Sequence, residues 1–72
     1  MHRVDYLTDT QERILRAIRQ HITDTGEAPT YAQIGQAVGL SSRSSVHYQL
    51  GELAAKAAII REPGRRRSIR LT

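Results

Sequence analysis

The sequence predicts a mainly α fold of three helices followed by a small two-stranded β-hairpin, and three observations carry that expectation. Two Thr-x-x-Gln patterns, Thr8 to Gln11 and Thr30 to Gln33, each precede apolar residues at helical spacing. A third helical period, Val46, Leu50, Leu53 and Ala57, follows a run of serines. After residue 58 the pattern becomes alternating, with Glu62-Pro63-Gly64 as a turn between two short runs.

The first helix is expected at about residues 8–25. Thr8 and Gln11 form a capping box, Asp9 and Glu12 in the first turn suit the helix dipole, and Ile14, Leu15, Ile18 and Ile22 form the core stripe up to Gly26. Gly26-Glu27-Ala28-Pro29 is a short connection rich in helix breakers. The second helix, about 30–38, is capped by Thr30 and Gln33, buries Ile34, Ala37 and Val38, and ends at Gly39. The third, about 42–56, opens within "SSRSSVHYQL", with at least one of Ser41, Ser42 and Ser44 as its cap. Ile59-Ile60-Arg61 and Ser68-Ile69-Arg70-Leu71 then flank a tip of Arg65, Arg66 and Arg67, giving a hairpin over about 59–71. Three helices with a tight break before the third, closed by a basic hairpin, form a winged helix-turn-helix; one such domain over residues 1–72 is expected.

Composition narrows the function. The 72 residues contain no cysteine, so packing alone must hold a core that is small at this length. No apolar run approaches the roughly 20 residues of a membrane span, and the amino terminus lacks a signal-peptide segment, which points to a cytoplasmic, nucleoid-associated protein. The net charge is +4, and ten of the eleven basic residues are arginine. Residues 1–40 hold four arginines against five acids, whereas residues 41–72 hold seven basic residues against Glu52 and Glu62. A neutral half joined to a strongly basic half is the distribution of a polyanion-binding surface. Nothing pairs a nucleophile with a base, encloses a substrate, holds a metal or cradles a cofactor, so neither an enzyme nor a small-molecule, cofactor or metal site is expected.

With Val46, Leu50 and Leu53 turned inward, Ser44, Tyr48, Gly51 and Ala55 lie outward, flanked by His47 on one side and Ser45 and Glu52 on the other. A helix that meets only water more often carries Lys and Glu pairs there, and Gly51 costs about 1 kcal/mol relative to alanine. Short side chains instead let the helix axis approach another surface closely, as in a major groove. The plainer alternatives are serines that only cap, an exposed His47, and a Tyr48 that packs under the hairpin. The three adjacent arginines repel one another unless a phosphate backbone or narrow minor groove receives them. Thr30, Tyr31 and Gln33, at the start of the second helix, could also donate to a phosphate, although capping accounts for most of them without DNA.

Across almost its whole length the chain resembles the amino-terminal DNA-binding domain of LexA-type repressors, the regulators of the bacterial SOS response. The resemblance rests on "LTDTQERILRAIRQHITDTGEAPTYAQIGQAVGL" for the first two helices, "SSRSSVHYQLGEL" for the third and "IIREPGRRRSIRL" for the wing, in order. It implies a winged helix-turn-helix whose third helix reads the major groove of double-stranded DNA, and repression as a homodimer on a two-fold operator. Carried over by position, it assigns Ser42, Ser44, Ser45, His47 and Tyr48 to the bases and Arg65 to Arg67 to the backbone, and Arg43 and Thr30 complete the expected contact set. LexA-type repressors continue into a self-cleaving protease domain with a serine–lysine dyad. Residues 1–72 hold no such dyad, as either an excised domain or a stand-alone relative would. The family usually has Lys-Gly where this chain has Lys56-Ala57, so the third helix is expected to run on or end differently. Gly51, Ala54, Ala55 and the bulky Tyr48 also depart from the family pattern and imply a different operator. The alternatives are a winged-helix protein-interaction module, in which the third-helix face docks a protein, and an accessory DNA-binding protein that does not repress.

Overall fold

The computed structural model describes residues 6–61 and 69–71. Helix α1 spans Asp9–Thr25, α2 Tyr31–Val38 and α3 Arg43–Ala55, followed by strands β1 (Ile59–Arg61) and β2 (Ile69–Leu71). Thr8 and Thr30 stand just outside α1 and α2 because each closes a capping box. Their hydroxyls accept the N–H groups of Gln11 (3.1 Å) and Gln33 (3.2 Å), and their own N–H groups donate to the Oε1 atoms of those glutamines, at 3.1 and 2.8 Å. Gly26 (φ 80°) and Gly39 (φ 79°) end these helices in the left-handed region.

The third helix departs from expectation at both ends. Ser42 occupies the N-cap position, yet its side chain makes no cap hydrogen bond. At the other end the alanine does take the left-handed cap: Ala57 has φ 62°. The Ala58 N–H donates to the Leu53 carbonyl at 2.9 Å and the Ala57 N–H to that of Ala54 at 3.0 Å, which is the Schellman arrangement. The reversal turns Ala58 and Ile59 into the core, 7% and 2% exposed, and leaves Ala57 in solvent rather than buried as its helical period suggested. The strained φ is therefore compensated by apolar burial immediately after it. An Ala57→Gly variant should gain about 1 kcal/mol, the cost of holding alanine left-handed less the extra chain entropy of glycine. For a domain this small that is a rise of roughly 4–8 °C in Tm, measurable by circular dichroism. An unchanged or lower Tm would refute the strained cap.

The core is one cluster: Ile14, Leu15 and Ile18 from α1, Ile34 and Val38 from α2, Val46, Leu50 and Leu53 from α3, and Ala58, Ile59 and Ile69 around the strands. Ala37, expected on the apolar face of α2, is exposed, and Gly35 is buried instead. The strands pair antiparallel with Ile59 opposite Leu71, Ile60 opposite Arg70 and Arg61 opposite Ile69. Their alternation buries Ile59 and Ile69 and points Ile60 and Arg70 outward. The tip expected at Arg65, Arg66 and Arg67 lies outside the described residues. Among the described residues no helix is long and apolar enough to cross a membrane.

Candidate nucleic-acid interface

Helix α3 buries Val46, Leu50 and Leu53 and turns every side chain from Ser42 to Ser45 into solvent, together with His47 and Tyr48. Tyr48 is 64% exposed, so it does not pack beneath the hairpin. The first turn of α3 also differs electrically from that of α1. Asp9 and Glu12 neutralise the positive end of α1, whereas α3 has no acid in its first turn and begins with Arg43. A cation there works against the helix dipole by roughly 0.3–1 kcal/mol. An uncapped N-terminus with an arginine at its first position is a poor arrangement for an isolated helix and a good one beside a phosphate. Thr30, at the front of α2, uses its hydroxyl oxygen to accept from Gln33, which leaves the hydroxyl hydrogen for an outside acceptor.

Contacts that the sequence does not single out mount this helix on the other two. Gln11, 3% exposed, donates through Nε2 to Gln49 Oε1 of α3 at 3.0 Å, and its Oε1 accepts from Lys56 Nζ at 2.6 Å. Lys56 in turn sits 5.3 Å from the Tyr6 ring centroid, and its carbonyl accepts the Tyr6 hydroxyl at 2.9 Å. This chain of contacts ties the start of α1 to the middle and end of α3. Gly35 sets the distance between α2 and α3: a Cβ there would stand 2.8 Å from the Leu40 carbonyl oxygen and 3.3 Å from Val46 Cγ2. The Arg13 guanidinium donates to the Val38 carbonyl at 3.2 Å, joining α1 to the end of α2 just before the turn.

His47 is not a bare exposed histidine. Its ring meets Tyr31 of α2 edge-on, 4.7 Å between centroids with the planes at 75°, so it stands in a defined orientation on the outer flank of α3. Gly51 lies one turn further along, and a Cβ there would be 3.5 Å from Arg61 Nη1. The open space read from that glycine thus holds an arginine side chain from β1. The sequence marks Tyr31 only as a phosphate donor at the front of α2 and gives Arg61 no role, because the contacts with His47 and Arg61 join residues far apart in the chain.

The chain is similar to known proteins over most of its length. The family described as the LexA DNA binding domain matches residues 4–68. The LexA repressor of Mycolicibacterium paratuberculosis is 44% identical over 70 residues, covering 96% of this chain and 30% of the relative. Those of Ligilactobacillus salivarius and Streptomyces coelicolor are each 47% identical over 62 residues, covering 86% of this chain and 30% and 26% of the relatives. The chain therefore spans less than a third of the length of these relatives.

Proposed function

The chain belongs to the LexA DNA-binding domain family, and from that premise we propose that it is a sequence-specific double-stranded DNA-binding repressor of bacterial transcription, cytoplasmic and nucleoid-associated, acting in an SOS-type response. The observation that carries this reading is the outer face of α3, where short polar side chains, an uncapped N-terminus and Arg43 are all presented to solvent on a helix fastened at its other end. In the major groove, Ser42, Ser44, Ser45, His47 and Tyr48 read base edges, and Arg43 and the hydroxyl of Thr30 lie on phosphates. Arg65, Arg66 and Arg67 lie along the backbone beside the groove. A module of this size buries roughly 600–1,000 Å² of protein surface on DNA, so useful affinity comes from a homodimer on a two-fold operator.

Selection of bound sequences from a random duplex pool tests this. An enriched inverted repeat is the expected result. A single enriched half-site would remove the homodimer, and no enrichment would favour a protein-docking face. His47→Ala and Tyr48→Ala should each change the preferred bases, with a discrimination loss of about 1–3 kcal/mol at the positions they contact. Equal weakening on every duplex would remove both from base reading.

A further inference from the structure

Tyr31 is the first residue of α2, yet its ring touches both other elements of the proposed DNA surface. Its edge contact with His47 of α3 is one such link. The Arg61 guanidinium of β1, 6.0 Å from the ring centroid, is the other. The same guanidinium lies against α3 at Gly51, the position where the helix has no side chain to obstruct it. A glycine inside a helix carries a conformational cost, and room for this arginine is a physical reason for one here. No carboxylate among the described residues pairs with Arg61. A guanidinium held by an aromatic ring in this way keeps its N–H donors for a planar, bidentate acceptor.

We propose that Tyr31 is a positioning residue that holds the Arg61 guanidinium against the open flank of α3 at Gly51, making Arg61 a further phosphate-binding group of the DNA-contact surface. This rests on the DNA-binding reading above. Gly51 lies seven residues beyond Ser44, about 10 Å along the axis at 1.5 Å per residue. A major groove is about 12 Å wide, so a helix that meets bases at Ser44 carries the Gly51 flank to the phosphate wall. Arg61 there adds a cation from β1 to the one that Arg43 supplies at the front of α3.

The test measures affinity for a mixed-sequence duplex, several helical turns long, over a range of salt concentrations, for the wild type and for Arg61→Ala, Tyr31→Leu and Tyr31→Phe. Arg61→Ala should lower the slope of log K against log salt by about 0.9, which is about eightfold weaker binding at 0.1 M salt. Tyr31→Leu, which keeps the apolar bulk, should produce the same loss, and Tyr31→Phe, which keeps the ring, should not. The free protein provides a second readout: Tyr31→Leu should shift the NMR signals of the His47 ring and the Arg61 side chain together. An Arg61→Ala slope equal to that of the wild type would overturn the inference and leave the DNA-binding reading standing. Unmoved His47 and Arg61 signals in Tyr31→Leu would overturn the positioning role by themselves. A wild type without salt-dependent binding would defeat the DNA-binding reading, and this inference with it.

Discussion

A Gly35→Val variant should lose about 3 kcal/mol of stability, a fall in Tm on the order of 12–24 °C for a domain of this length. The cause is geometric. A Cβ at residue 35 would meet the Leu40 carbonyl oxygen at 2.8 Å and Val46 Cγ2 at 3.3 Å, before the two valine methyl groups are added. The oxygen belongs to the backbone of the turn between α2 and α3, so it cannot move aside as a side-chain tip would. The turn is also pinned from the other direction, because the Leu40 N–H donates to the Gly35 carbonyl at 2.8 Å. Pushing Leu40 away strains that bond and opens the packing of Ile34 and Val38 on Val46. Replacing glycine recovers at most about 1 kcal/mol of helix propensity, less for a β-branched residue, so the clash wins. The check is a thermal melt followed by circular dichroism; a Tm within a few degrees of the wild type would mean that the α2–α3 spacing tolerates a side chain. Because the same contact sets the angle of α3, residual folded protein should also bind DNA more weakly.

How legible each feature was in the sequence follows the distance over which it is encoded. Both capping boxes are written in residues three apart, and Thr8–Gln11 and Thr30–Gln33 close as their spacing requires. The apolar stripes of α1 and α3 were readable for the same reason, except at Ala57 beyond the end of α3, since period and burial are local properties of a helix. Ser42 illustrates the limit of such reading: its type and place are those of a cap, but a cap is a hydrogen bond, and that bond is absent. Ala57 illustrates another, where propensity argued against the left-handed cap and the burial of Ala58 and Ile59 prevailed over it. The contacts that hold the site together were not legible at all. Gln11 meets Gln49 and Lys56 across 38 and 45 residues, and in the sequence it is fully accounted for by its capping box. Gly51 was recognised as open space, although its neighbour Arg61 comes from a different element. Helix faces are thus inferred from pattern, whereas the mounting of one helix on another needs the fold.

Replacing Arg65, Arg66 and Arg67 together by alanine should weaken binding to every duplex and leave the ranking of sequences unchanged. If each arginine neutralises one phosphate, the slope of log K against log salt falls by about 2.7, equivalent to about 500-fold weaker binding at 0.1 M salt. A single contact among the three would lower it by about 0.9 and give about eightfold. The measured slope therefore counts the wing's phosphate contacts directly. This effect is separable from a folding defect, because three adjacent like charges repel in the free protein and their removal should leave Tm unchanged or slightly raised. It is also separable from base reading. Phosphate contacts carry no sequence information, so the triple variant should enrich the same duplexes from a random pool, whereas His47→Ala or Tyr48→Ala should enrich different ones. A triple variant with the wild-type slope would remove the wing from the contact surface and leave Arg43, Arg61 and the α3 N-terminus as the anion-binding groups. A triple variant that alters sequence preference would mean that the wing reaches into a groove and reads its width.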